Sequence, residues 1–200
     1  MERIAGIILA AGESARLGED KALLPWGSTT FLEHLLDSMK ASKVGLVRVV
    51  LGANAEAVQK KIKFGTAELV INPEWQKGQL SSLVAALDSL PRGLVEAAVV
   101  ALVDHPCISG RLIQTLIENF QQSKKLIVLP TYQGRRGHPV VFSAQLFDEL
   151  RAAPLEVGAR HVVHQHPGDI LEVATEEEGV VLNINDREAY EKILQKPPPD

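Results

Sequence analysis

The sequence holds one cysteine, Cys107, so an intrachain disulfide is excluded and a reducing, cytoplasmic setting is expected. Basic charge is not in excess: 21 Lys and Arg stand against 25 Asp and Glu, a formal net charge of −4. That balance excludes a general attraction to nucleic acid or to an anionic membrane. A site for a polyanion must then be a local cluster of cations and backbone N–H groups. No apolar run is long enough to span a bilayer. The run Ile4 to Ala11 is too short, and it leads into a Gly/Arg/Lys loop that a cleaved signal would discard. It reads as a buried first strand. No repeat or low-complexity linker interrupts the 200 residues, which suit one domain over 1–195. The tail 196–200 carries consecutive prolines, cannot continue a helix and is expected to fray.

What is present is an alternation of short apolar runs and helical patterns. Strands are expected at Ile4 to Ala10, Leu46 to Leu51, Ala67 to Ile71, Ala97 to Val103 and Leu126 to Leu129. Between them, helical spacing runs through Phe31 to Met39, from Asn54 to about Ile62, through Leu80 to Leu90, and after Ser109. Thr30 with Glu33 forms a capping box, and Asn54, Ser109 and Asp186 stand where N-caps belong. The last third is less regular. Pro139 to Phe142, Ile170 to Ala174 and Val180 to Ile184 read as short strands, Leu146 to Leu150 as helix, and a final helix runs past Tyr190. The fold class is α/β: a three-layer Rossmann-like sandwich, its sheet mostly parallel, with helices on both faces. Ligands of such sheets gather beyond the carboxyl ends of the strands, and the chemically busy segments fall there.

The loop Gly12 to Lys21 follows the first strand. Its glycines let the backbone turn and approach a ligand, and successive N–H groups make an anion-binding concavity. Arg16 and Lys21 add full positive charges. The spacing of Gly12, Gly18 and Lys21 is neither a P-loop nor a dinucleotide fingerprint. Asp104 ends the most apolar strand, where a carboxylate either holds magnesium or caps the next turn; Ser109 is an alternative cap for the helix. Gly78, Ser81 and Ser82 open a helix and can read the edge of a base or serve as caps. Arg135, Arg136 and His138 lie beside Gly134 and Gly137, either as a second anion site or as a hairpin with solvated arginines. His161, His164 and His166 read as a wet helix end, Cys107 as a small buried residue, and 176–178 as a solvated turn. No Ser/His/Asp or Cys/His triad emerges.

Taken together, Leu9-Ala10-Ala11-Gly12 through Arg16, Gly18 and Lys21 resembles the LAAGxSxRxGxxK signature of the nucleotidyltransferase superfamily with a Rossmann-like fold. Lys21 to Gly27, Asn72 to Trp75 with Ser81-Ser82, Asp104-His105-Pro106, Gly134 to Val140 and Gly158-Ala159-Arg160 resemble its molybdenum cofactor cytidylyltransferase branch, related to the guanylyltransferases. The resemblance covers residues 4 to about 190. It implies transfer of CMP from CTP to a phosphate of molybdopterin, with pyrophosphate released and no general base needed. It implies that Arg16 and Lys21 bind the triphosphate, and that Asp104 holds Mg2+. Leu9, Ala10, Ala11, Gly12, Gly78, Ser81 and Ser82 would line the nucleotide, and Arg135, Arg136 and His138 the acceptor. Two departures bear on specificity. Asn185, in Asn183-Ile184-Asn185-Asp186, stands where many relatives carry a second metal-binding Asp, and Gln79 and His105 stand where many cytidylyltransferases carry Met. GTP as donor, and a non-catalytic carrier of the molybdenum cofactor for a molybdenum hydroxylase, are the alternatives.

Overall fold

The computed structural model describes residues 4–14, 17–42 and 44–195. Arg16, the first three residues and the tail 196–200 lie outside the described residues.

The first strand, β1 (Ile4–Ala10), is buried at all seven positions. Its alternate side chains serve two cores. Ile4, Ile8 and Ala10 face one cluster, and Ala5, Ile7 and Leu9 the other. A strand covered on both faces needs a continuous apolar run, which is what the sequence supplies. The chain continues through a two-strand hairpin, β2 (Pro25–Trp26) and β3 (Thr29–Thr30), into α1 (Phe31–Ala41). There Thr30 and Glu33 form the expected capping box. Next come β4 (Leu46–Leu51), α2 (Ala55–Lys61), β5 (Glu68–Ile71), α3 (Gln79–Ser89), β6 (Ala97–Leu102) and α4 (Gly110–Gln122), the last capped by Ser109. The C-terminal third holds β7 (Ile127–Tyr132), β8 (Arg135–Arg136), β9 (Val140–Ser143), α5 (Phe147–Ala152), α6 (Arg160–Gln165), β10 (Ile170–Ala174) and α7 (Arg187–Leu194), which Asp186 caps.

The sheet order is β10-β7-β9-β6-β1-β4-β5, with β8 paired to β7. Pairs β1–β4, β1–β6, β4–β5 and β10–β7 are parallel. β9 runs antiparallel between β6 and β7, because it returns directly from the β7–β8 hairpin. Helices α1, α2 and α4 cover one face; α3, α5 and α6 cover the other. The three-layer, mostly parallel architecture expected from the sequence is thus present. A small third cluster joins Trp26, Phe31, Ile184, Tyr190 and Ile193, and fastens α7 beside the first hairpin. The Tyr190 hydroxyl donates to the Pro25 carbonyl at 2.7 Å.

Val180 to Ile184 is not a strand. Glu178–Val181 is a 3-10 turn, and the residues after it have no regular structure. Their backbone groups go to loops rather than to a ladder: His138 N–H donates to Val180 O, and Ile184 N–H to Asp104 O. Asn54 sits at the N-cap of α2 but its side chain makes no capping bond. Cys107 is half-buried rather than buried. The 176–178 turn is more than a solvated loop, since the Glu177 carboxylate accepts from both the backbone and the hydroxyl of Ser109.

Candidate functional site

Two adjoining cavities open beyond and beside the carboxyl ends of β1 and β6, and Leu9, Gln79 and Leu102 belong to the walls of both. The first encloses about 440 Å³. Its floor is the exit of β1 at Ala11 and Gly12. Ser14 accepts from Lys21 N–H at 3.0 Å, and Asp20 caps the turn that begins at Lys21. Across the cavity, Val103 N–H donates to Leu9 O at 3.1 Å, which fixes where Asp104 emerges. The 2.7 Å bond from Ile184 N–H to Asp104 O brings Asn185 beside it. The Lys21 ammonium then meets both: Nζ donates to Asn185 Oδ1 at 2.7 Å and lies 3.6 Å from Asp104 Oδ2. One carboxylate and one amide oxygen therefore converge on a cation. That is a hard-oxygen donor set of the kind magnesium or manganese takes when phosphates complete its shell. Among the described residues, no group of three or more His, Cys, Asp and Glu could hold a metal by itself.

The far wall is built by the segment after β5. Asn72 donates from Nδ2 to Ser81 Oγ at 2.9 Å and to Ser82 Oγ at 3.0 Å, and accepts from Glu74 N–H at 2.9 Å. This ties the turn at 75–77 to the first turn of α3. Gly78 joins them at φ 97°, a left-handed value that favours glycine. Trp75 is laid against Gly52, where a Cβ would come within 2.6 Å of the Trp75 Cβ and of Ala11 O.

The second cavity encloses about 470 Å³ over β6, β9 and β7, between α3 and α6. Apolar side chains make its floor: Leu80 and Leu83 from α3, Val100 and Leu102 from β6, and Val140 and Phe142 from β9. Polar groups sit at its margins. Arg136 pairs with Glu172 at 2.6 Å, and Arg160 and His164 are exposed. His138 packs against His105, with ring centroids 4.8 Å apart. Burial, and then the neighbouring His105, push its pKa down to about 4, so at neutral pH it is an uncharged imidazole. Burial likewise lowers that of His105, whose Nδ1 is buried without a hydrogen-bond partner.

The first cavity brings together Leu9, Ala11, Gly12, Lys21, Gly78, Ser82, Asp104 and Asn185. Ala10 turns into the opposite core, and Ser81 bonds to Glu74 O and Gly78 O outside the cavity lining. The expected acceptor group divides. Arg136 and His138 line the second cavity, whereas Arg135 is exposed on the hairpin and is not part of the lining. The sequence reading left Trp75 and the apolar walls out of the site and named Gln79 only as a departure that bears on specificity. Trp75 was visible beside Asn72-Pro73, but the walls read only as core.

Comparison with known proteins places these features in a family. A family model described as the MobA-like NTP transferase domain matches residues 6–170. The chain is 31% identical over 187 residues to nicotine blue oxidoreductase of Paenarthrobacter nicotinovorans, spanning 88% of this chain and 90% of that protein. It is 30% identical over 139 residues to a probable molybdenum cofactor guanylyltransferase of Bacillus cereus strain AH187, spanning 68% and 66%. The crystal structure of Rv0371c from Mycobacterium tuberculosis H37Rv superposes with a TM-score of 0.86 at 28% identity, covering 97% of this chain and 98% of that one. The same protein has also been solved as a manganese complex, with a TM-score of 0.83.

Proposed function

The chain belongs to the MobA-like NTP transferase domain family, and from that premise we propose that it transfers CMP from CTP to a molybdopterin-type phosphorylated acceptor, releasing pyrophosphate. The observation that carries this reading is the pair of cavities with a common wall: one in which Lys21, Asp104 and Asn185 converge, and one with an aliphatic and aromatic floor edged by Arg136, His138, Arg160 and His164. A triphosphate suits the first, and the faces of a flat ring system suit the second better than a sugar would. The relative named a molybdenum cofactor guanylyltransferase supports the acceptor class.

In the proposed reaction an acceptor phosphate oxygen attacks the α-phosphorus. A new P–O bond forms as the bond to the β-phosphate breaks, and pyrophosphate leaves with that electron pair. The nucleophile is already an anion, so the neutral His138 is not required as a base. Catalysis rests on alignment and on neutralising phosphate charge. Lys21 supplies a fixed positive charge, and the loop from Ala11 to Ser14 orients the phosphates. Asp104, with Asn185 Oδ1 beside it, would hold Mg2+, which supplies further charge neutralisation. The floor at Ala11 supports cytosine, because its methyl group narrows the space that a purine would need. GTP is the second reading, favoured by the Bacillus relative.

The test is pyrophosphate release with each NTP, Mg2+ and molybdenum cofactor. We expect release with CTP. Release with GTP in preference to CTP would move the assignment to guanylyl transfer. No release with any NTP would leave a carrier of the cofactor, or an oxidoreductase like the one for which the Paenarthrobacter relative is named.

A further inference from the structure

We infer that Asp20 is a positioning residue that sets how Lys21 is presented to the nucleotide, and that Asn54 is its brace. The inference rests on the reading that Lys21 meets the triphosphate. Asp20 stands immediately before the turn Lys21–Leu23, and both of its carboxylate oxygens are engaged in different directions. Oδ1 accepts from Ala22 N–H at 2.8 Å and so closes the turn that carries Lys21. Oδ2 accepts from Asn54 Nδ2 at 2.9 Å, from a loop 34 residues away in sequence. Asn54 occupies the N-cap of α2, where an Asn side chain ordinarily accepts from its own helix. Here it makes no such bond, and its amide goes to Asp20 instead.

A second strap joins the same two loops, since Ala53 N–H donates to Ala11 O at 3.1 Å. The loop after β4 therefore grips the loop after β1 at both of its ends, Ala11 and Asp20. From Asp20 the constraint passes through a closed turn to the Lys21 backbone, whose N–H is held by Ser14 Oγ at 3.0 Å. The side chain then reaches to Asn185 at 2.7 Å. A long lysine side chain is a flexible point charge, so its usefulness depends on where its backbone is fixed.

The bond between Asp20 and Asn54 has a direction, and that makes a sharp test. Asp20→Asn retains an acceptor for Ala22 but turns an amide NH2 toward the NH2 of Asn54. Asn54→Asp sets two carboxylates face to face. The double variant Asp20→Asn/Asn54→Asp restores one donor and one acceptor with the polarity reversed. We expect each single variant to weaken CTP binding about tenfold, on the scale of one hydrogen bond to a charged group. The swap should recover to within about threefold. In a Lys21→Ala background, Asp20→Asn should change binding by no more than about twofold, because its effect passes through Lys21. Titration calorimetry with CTP and Mg2+ reads all of these. A full tenfold loss in the Lys21→Ala background, or a swap no better than the single variants, would overturn the inference. Amide hydrogen exchange at Lys21 and Ala22, without nucleotide, is measured on the same proteins. We expect faster exchange in each single variant and recovery in the swap. Unchanged protection refutes the brace whatever the nucleotide does. Restored protection, with wild-type CTP binding in Lys21→Ala, would instead refute the nucleotide reading of Lys21.

Discussion

The two cavities share a wall and differ in how they are made. The first is defined by a few polar atoms whose positions are fixed one by one: Lys21 Nζ, Asp104 Oδ2, Asn185 Oδ1 and the Asn72–Ser82 pair. The second is defined by area. Strand β9 is inserted antiparallel between β6 and β7 by a hairpin, and the helix that connects β6 to β7, α4, covers the opposite face. Leu80, Leu83, Val140 and Phe142 are left around a space between α3 and α6. Charge acts through single atoms and apolar contact acts through sums over many. One substitution should therefore disable the first cavity while the fold survives, and one substitution in the second should cost stability as well as binding.

The largest expected effect follows from the first half of that statement. Lys21→Ala should lower turnover about 100- to 1000-fold, as loss of one preorganised charge-stabilising group does elsewhere. Stability should change by about 1–2 kcal/mol at most, because the substitution removes polar contacts to Asn185 and Asp104 but no core packing. Asp104→Asn should abolish turnover yet weaken CTP binding only modestly without Mg2+. Pyrophosphate release and thermal melts read both. A wild-type rate in either variant would move the chemistry out of the first cavity. Leu83→Ala tests the other half. It should cost about 2–5 kcal/mol of stability by leaving a void. It should raise the acceptor KM while leaving the CTP dissociation constant within about twofold, because α3 presents Leu83 to the second cavity only. Equal losses in both affinities would show that the cavities are not separable.

The same contrast explains what was legible in the sequence. The first cavity was, because its residues are polar and out of place next to a fully buried strand: a Gly/Lys loop after β1 and an Asp after β6. Asn185 was reached only by resemblance, since 164 residues separate it from its Lys21 partner and an Asn has no spacing rule of its own. Of the second cavity only the polar edge was legible, at Arg136, His138 and the 158–160 segment. Its walls come from several elements, each with the apolar period of ordinary core, and no local pattern tells a lined space from a filled one. Val180 to Ile184 misleads for a related reason. Its Val, Leu and Ile content favours a strand, but its backbone partners are His138 and Asp104, loop residues remote in sequence.

Acid should act on the wall of the second cavity, at His138. His138 has a folded pKa of about 4 against 6.5 when unfolded. Between these values the unfolded chain binds the proton and the fold does not, so stability falls as pH drops through that window and levels off below it. The integrated loss is on the order of 3 kcal/mol at most. Lowered pKa at His105 adds in the same direction. Denaturant melts of the metal-free protein between pH 7 and pH 4 should show the loss, and His138→Phe should remove most of it. An unchanged slope in that variant would mean that the acid sensitivity lies elsewhere.

The smallest effect has the opposite sign and lies outside the second cavity, just beyond α6. His166 follows α6, the helix that brings Val163 and His164 to the cavity. Its Nε2 is 2.7 Å from Glu149 Oε2 at the start of α5, and its Nδ1 is 3.6 Å from Asp169 Oδ2. The Glu149 bond first, then Asp169, raises the His166 pKa above 6.5. The folded state therefore holds this proton more tightly than the unfolded one. The stabilisation is complete below pH 6.5 and fades as pH rises through the folded value. Both carboxylates are nearly half exposed, at 44% and 48%, so water and salt weaken the pairs to less than about 1 kcal/mol. His166→Gln should abolish that small decline between pH 6 and pH 8, and added salt should shrink it in the parent protein. The acid-side loss from His138 should persist in His166→Gln, because the two histidines belong to different sets of partners. Melts at low and high salt across both windows separate the two. If His166→Gln instead removed the acid-side loss, the buried His138 and the exposed His166 would be one titrating unit, and the cavity wall would not be electrostatically separate from the surface beyond α6.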